Sequence, residues 1–409
     1  MHDRSTALCA AITTLLLALA GNACALDQAA SDPGIVKAEQ AFAGVADEFF
    51  DGFYFPTNPT TATQTGIHAY DSKLEDYSRA GVDRQVQALQ GFDKRVTAID
   101  PKALDETTRG DRDLVLNYIH GSLLTLQTIR PWEKNPDTYS SGITNCAFAI
   151  MERKFAPLPE RLHALIEREK LMPAALQAAR GNLKNPPHIY TEIALEQLPG
   201  LISFFRHDVP SVFSEVGEVE LKKQFAASNG AVLKALGDYQ TWLKTDILPN
   251  SDGDFRLGAD TYRKKLLFDE MVDTPLDALI AIDMKNLQRN QAEFARVAKE
   301  IDPEKTPQQV LAELAADHPG PAKLLDAFRA TFDGLTRFIR EKRIITIPSD
   351  VRPILEETPP FMRATTFASM DNQDPMKPSR RKLTSTSPCP TRNGTRRART
   401  NSWPSSIIR

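Results

Sequence analysis

The chain has 409 residues, 41% hydrophobic and 25% charged, with a formal net charge of −3. This balance excludes a collagenous or wholly disordered chain and offers no overall basic surface for nucleic acid. The charge is uneven, because residues 373–409 carry nine Lys or Arg against one Asp, a net +8, which leaves −11 for the rest.

Residues 1–25 read as a secretory signal peptide. Arg4 precedes an apolar run over residues 7–20 centred on Leu15, Leu16, Leu17 and Leu19, and Ala23-Cys24-Ala25 supplies the small-x-small cleavage pattern. The run is shorter than the roughly 20 residues a membrane span needs. A lipid-attachment site at Cys24 would call for Leu where Gly21 stands, so the expectation is cleavage after Ala25 and a soluble exported protein, periplasmic or extracellular. With Cys9 and Cys24 removed, Cys146 and Cys389 remain, too far apart to suggest a disulfide framework or a metal site.

A run of helices follows. Residues 36–53 place Phe42, Val45, Phe49 and Phe50 on one face, and Pro56 and Pro59 close that segment. Val82, Val86, Leu89, Phe92 and Val96 recur at helical spacing up to Asp100-Pro101. Residues 105–130 are so densely apolar that they predict a helix buried on most sides. Helices are predicted over 159–180, where Pro173 could open a second one, and over 190–205. One or two more are predicted over 212–248, and others over 275–301, 306–317 and 323–342. Residues 344–347 and 361–370 are the best strand candidates. The predicted fold class is mainly α: a large multi-helix body over 26–372 with a small β element near its C-terminal end.

From residue 373 the grammar changes. Ser, Thr, Pro, Lys and Arg make up 25 of the last 37 residues, and no period survives. The segment reads as a disordered basic tail or as an out-of-frame translation. One permitted codon set for residues 392–406, read one base out of phase, encodes Glu-Trp-Asp-Lys-Ala-Arg-Gln-Asp-Glu-Phe-Met-Ala-Gln-Phe, a helix-forming peptide in the style of the body. The abrupt change favours the shifted frame.

Chemistry-bearing motifs are sparse. The chain contains no His-Glu-x-x-His, Gly-x-Ser-x-Gly, phosphate-binding glycine loop or Cys-x-x-Cys, and none of its seven histidines has another within four residues. The expectation is therefore no metal ligands, no catalytic residues and no cofactor in this chain. His120 reads as a satisfied core residue, His68 as a turn or cap residue, and Asp252-Gly253-Asp254 as a plain turn. Trp132-Glu133-Lys134-Asn135-Pro136-Asp137-x-Tyr139 puts an aromatic, an amide and a carboxylate in one loop. Such loops often border sites, though helix-end packing accounts for it as well.

Several segments together resemble a bacterial family known as domain of unknown function 885. They are Pro59-Thr60-Thr61-Ala62-Thr63-x-x-Gly66-Ile67-His68-x-Tyr70-Asp71, the Trp132–Tyr139 run, Arg153-Lys154-Phe155-Ala156-Pro157, Phe255-Arg256-Leu257-Gly258-Ala259-Asp260-x-Tyr262-Arg263, Glu357-Thr358-Pro359-Pro360-Phe361 and Phe367-Ala368-Ser369-Met370-Asp371. The ordered set covers about residues 36–372. The resemblance implies an almost wholly helical, thermolysin-like zinc metallopeptidase lineage whose zinc segment lies shortly after the Phe-Ala-Ser-Met strand. Here the basic tail stands in that place. Zinc is therefore expected in full-length relatives and not in this chain, since hydrolysis needs about three protein ligands and an activated water.

Two functional readings follow. In the first, the chain is a truncated, catalytically silent member of an exported peptidase-like family. Its peptide or amide substrate would pair with the strand edge at Ala368 and Ser369, with Trp132, Asn135 and Tyr139 as further candidate substrate-binding residues. Arg153 and Tyr262 are candidates for binding a carboxylate or carbonyl, with surface ion pairing as the plainer role for Arg153. In the second, the chain is a non-enzymatic, peptide-binding helical protein of the cell envelope. Neither reading involves nucleic acid or a membrane span.

Overall fold

The computed structural model describes residues 33–348 together with 352, 354–358, 370–371 and 407–408. Of the described residues 78% are helical. The signal segment and nearly all of the tail lie outside them. Twelve α-helices of seven or more residues are described: α1 Pro33–Asp47, α2 Pro59–Thr65, α3 Arg79–Thr97, α4 Glu106–Leu124, α5 Asp137–Glu152, α6 Leu158–Asn182, α7 His188–Ser203, α8 Val219–Trp242, α9 Ala259–Glu270, α10 Leu276–Ile301, α11 Pro307–Ala316 and α12 Leu324–Lys342. β-Strand among the described residues is limited to two-residue pieces, β1 Ile354–Leu355, β2 Met370–Asp371 and β3 Ile407–Ile408. The chain divides into two units, residues 33–256 forming most of one and 257–347 most of the other.

The first unit holds two cores. One gathers the aromatics that follow α1. Its centre is Phe49, whose ring lies 5.1 Å from Phe50, 5.2 Å from Phe92 and 5.8 Å from Tyr118 in edge-to-face pairs. The predicted helix over 36–53 does not stay α throughout. After Asp47 the chain widens into a π-type turn, Glu48–Tyr54, that buries Phe49, Phe50, Phe53 and Tyr54 together. On α4, Arg112, Val115, Ile119 and Leu124 are fully buried and most neighbours half-buried, in keeping with its dense apolar pattern.

The second core is built by α5 to α8, with Tyr139, Ile143, Ile150, Leu162, Leu165, Met172, Leu198, Phe205, Val232 and Leu236 at its heart. Here α6 is central and is one continuous helix of 25 residues. Pro173 does not start a second helix but sits inside the first, as Pro199 does in α7. Proline in a helix interior costs a hydrogen bond and a clash of about 3 kcal/mol. Burial of Met172, Ala175 and Leu176 around Pro173 supplies the packing that holds the helix through it.

In the second unit, α10 and α11 pack where a Thr306–Gln309 capping box begins α11. Residues 344–347, predicted as a strand, are irregular. Arg343 turns left-handed (φ 52°) at the end of α12, Ile344 and Ile345 are exposed, and no ladder partner lies beside them among the described residues. Of the other strand candidate only Met370 is described, and it lies in β2, paired antiparallel with Ile408 of β3.

Candidate functional site

The motif segment 59–71 folds around an arginine that carries no sign of its role in the sequence. Arg168 lies mid-way along α6, in the polar run Glu167-Arg168-Glu169-Lys170, yet its side chain is fully buried. Its Nη1 donates to the Cys146 carbonyl (3.0 Å). Its Nη2 donates to the Thr63 hydroxyl (2.7 Å) and to the carbonyls of Pro59 (3.1 Å) and Tyr70 (3.4 Å). A buried guanidinium needs negative charge or several acceptors nearby. Here the charge arrives through a relay, because Thr63 Oγ1 accepts from Arg168 and gives its one proton to Asp71 Oδ1 at 2.6 Å.

Asp71 also holds His68. Its Oδ2 accepts from His68 Nδ1 at 3.0 Å, so that ring nitrogen carries a proton. The His68 ring stacks on Phe155 at 4.1 Å and 18°, so the first and third motif segments meet face to face. The local fold explains the arrangement. Helix α2 starts at Pro59 and ends at Gly66, which takes the left-handed conformation (φ 94°) that a side chain rarely adopts. The chain then turns back through His68–Tyr70 to deliver Asp71 to Thr63. Beside this clasp, Thr60 donates to Glu75 from both its amide (2.9 Å) and its hydroxyl (3.0 Å). His68–Asp71 has the form of a general-base pair, but among the described residues no hydroxyl or thiol is hydrogen-bonded to Nε2.

The motif segment 132–139 forms a second knot. Trp132 Nε1 donates to the Leu126 carbonyl (2.9 Å), and the Tyr139 hydroxyl donates to the Trp132 carbonyl while accepting from Asn182 Nδ2 (3.0 Å). Asn182 also donates to the Tyr77 carbonyl (2.8 Å), and Tyr239 to that of Pro136 (2.8 Å). Asn135 Oδ1 accepts from the Asp137 amide (3.0 Å) at the start of α5. The Arg79 guanidinium lies 4.7 Å above the Trp132 ring. Burial pushes the Tyr139 phenol up to about 12. The structure thus brings Trp132, Asn135 and Tyr139 together as packing between helix ends.

The other candidates lie elsewhere. Arg153 is buried at the end of α5, not on the surface, and its carbonyl accepts from Arg161. Tyr262 is half-exposed on α9 in the second unit. Ala368 and Ser369 lie outside the described residues. Next to Arg168, Glu169 points the other way, into α8, where Ser228 and Asn229 donate to its two oxygens. Burial pushes this carboxyl up to about 7. Neither residue stands out by sequence, because both sit in a charged run that reads as a solvated face.

The zinc that the family resemblance implies finds no fitting donor set here. Among the described residues no three His, Cys, Asp or Glu side chains converge, and His68 and His120 pair with the carboxylates of Asp71 and Asp93. Cys146 is a buried free thiol pushed up to about 12 by burial, unsuited to act as a ligand.

Residues 59–402 match the family model described as "Bacterial protein of unknown function (DUF885)", a match that runs past Asn372 into the basic segment. Two solved structures are similar. One is of a "putative lipoprotein of unknown function" from Shewanella oneidensis (24% identity, TM-score 0.62, covering 78% of this chain and 60% of that one). The other is of a "putative lipoprotein" from Colwellia psychrerythraea (13% identity, TM-score 0.57, 83% and 65%). The chain thus spans less than two-thirds of either neighbour's length. No curated protein matches it.

Proposed function

Because the chain belongs to the bacterial family DUF885, matched over 59–402, we propose that it is an exported, envelope-associated member of a peptidase-like lineage that is catalytically silent. One observation carries this reading: the polar side chains of the two best-formed motif segments are engaged with one another. Arg168, Thr63, Asp71 and His68 form one chain of hydrogen bonds, and Trp132, Tyr139 and Asn182 another. Groups so engaged hold a scaffold in shape. Catalysis would need a nucleophile, an activated water or an open metal position in addition. The lipoprotein descriptions of both solved neighbours support an envelope location, and the Ala23-Cys24-Ala25 site supports export.

A second reading, peptide binding without catalysis, draws on β2, which already accepts an antiparallel strand from β3. In that reading an exposed strand edge receives the peptide backbone, while Trp132, Asn135, Tyr139 and Arg153 keep the scaffold rigid.

The direct test is a peptidase assay on the purified chain, using a mixed peptide library with and without a chelator. The expected result is no cleavage above buffer in either arm. Chelator-sensitive cleavage that copurifies with the chain would overturn the proposal.

A further inference from the structure

The second unit is the part of the molecule whose apolar side chains are least covered. Of all its apolar residues from 257 to 347, only Ala298 and Val310 are buried. On α10 a row runs Ile280, Met284, Leu287, Gln291, Phe294, Ala298, Ile301, at alternating steps of four and three. That is the 3.5-residue repeat of a helix seam, with one polar residue at Gln291. The row is used for packing at one end, where Ala298 is buried and α11 lies against α10. Towards the N-terminal end it is open, from Phe294 (42% exposed) to Ile280 (59%). On α12, Leu324, Phe328, Leu335 and Phe338 form a second exposed row at matching spacing, with Thr331 between them.

We propose that these two rows are a self-association surface, through which α10 and α12 of one copy pack on the same helices of a second copy in an antiparallel, two-fold arrangement. Two arguments select a second copy. The first is charge. The N-terminal half of α10 carries Asp277 and Asp283 against Lys285, and its C-terminal half carries Arg289, Arg296 and Lys299 against Glu293 and Glu300. The halves are therefore −1 and +1, and an antiparallel copy sets each against its opposite while also opposing the helix dipoles. The second is area. Half-exposed side chains of this size each leave on the order of 90 Å² open, so the five large ones on the α10 row offer roughly 450 Å² and the four on α12 roughly 360 Å² for a second copy to cover. A two-fold contact of this kind closes on itself, so association stops at two chains.

This inference does not depend on the chain being silent, and its test reads mass, not activity. Sedimentation velocity of the full chain in a mild non-ionic detergent, which keeps the N-terminal apolar segment from driving aggregation, should give twice the chain mass at micromolar concentration. The variant Leu287→Glu/Leu335→Glu should sediment as one chain with an unchanged helical circular dichroism spectrum, and Lys234→Gln, on the exposed face of α8, should stay double. A photo-crosslinking residue at position 280 should label the partner subunit's α10 within its C-terminal half. A single-chain mass for the unaltered protein, an open-ended series of larger species, a double mass that survives the Glu substitutions, or labelling of the N-terminal half would each overturn the proposal. Conversion to a single-chain mass only when a foreign amphipathic helical peptide is added would agree with it, because that peptide competes for the same rows.

Discussion

Thr63 carries more than its size suggests. Its hydroxyl is the link between a buried cation, Arg168, and the carboxylate of Asp71. Replacing it with valine keeps the shape and removes the link, which leaves two buried charged groups each short of a partner. Thr63→Val is expected to cost about 2–3 kcal/mol, and Thr63→Ser, which keeps the hydroxyl, less than about 1 kcal/mol. Urea midpoints at neutral pH check this, and equal losses in the two variants would contradict it. Glu169 gives a prediction with a sign. Its carboxyl is pushed from the ordinary 4.5 up to about 7 by burial, so between these values the folded chain holds a proton that the unfolded chain releases. Its contribution is therefore complete below about pH 4.5 and is lost as pH rises through about 7, on the order of a few kcal/mol. Asp111, pushed up to about 6 mainly by burial, acts in the same direction. Glu169→Gln removes the Glu169 part alone. The variant should gain stability over the native chain between pH 5 and pH 7.5 in paired urea titrations, and a gap independent of pH would argue against a buried protonated Glu169.

At the scale of elements, what was legible followed from periodicity. The apolar spacing of Val82, Leu89 and Val96 located one helix and the stretch 275–301 another, and the structure places them at Arg79–Thr97 and Leu276–Ile301. Pro173 was read as a possible start of a second helix and proved interior, because packing from neighbouring helices outweighs the local penalty, and single-sequence propensity cannot see neighbours. Ile344–Ile347 has strand composition but no partner among the described residues, and composition cannot supply one. The clasp was legible in part. The segment 59–71 stood out as a motif and His68 as a turn residue, but its centre, Arg168, lies 97 residues beyond Asp71 in a run of charges. A close helix approach gives another test. Gly142 on α5 faces the Tyr77 hydroxyl, and a methyl group there would sit 2.1 Å from that oxygen. Gly142→Ala should cost about 1–3 kcal/mol, and adding Tyr77→Phe should recover part of the loss. A double variant no better than the single one would show that the crowding lies elsewhere.

For the whole molecule, the two units differ in how completely they are built. Residues 33–256 bury two cores with their motif side chains tied together. Residues 257–347 leave long amphipathic rows open. The family match and the two longer solved neighbours give this contrast a setting, since the fold shared with them extends over only 60% and 65% of their chains. The account's central claim is the proposal that this scaffold holds no stoichiometric zinc. Zinc stoichiometry tests it most directly: purify the chain, equilibrate it with zinc, remove loosely held metal by gel filtration and count zinc per chain by elemental analysis. The account predicts well under one-tenth of an equivalent; one tightly held zinc per chain would contradict it.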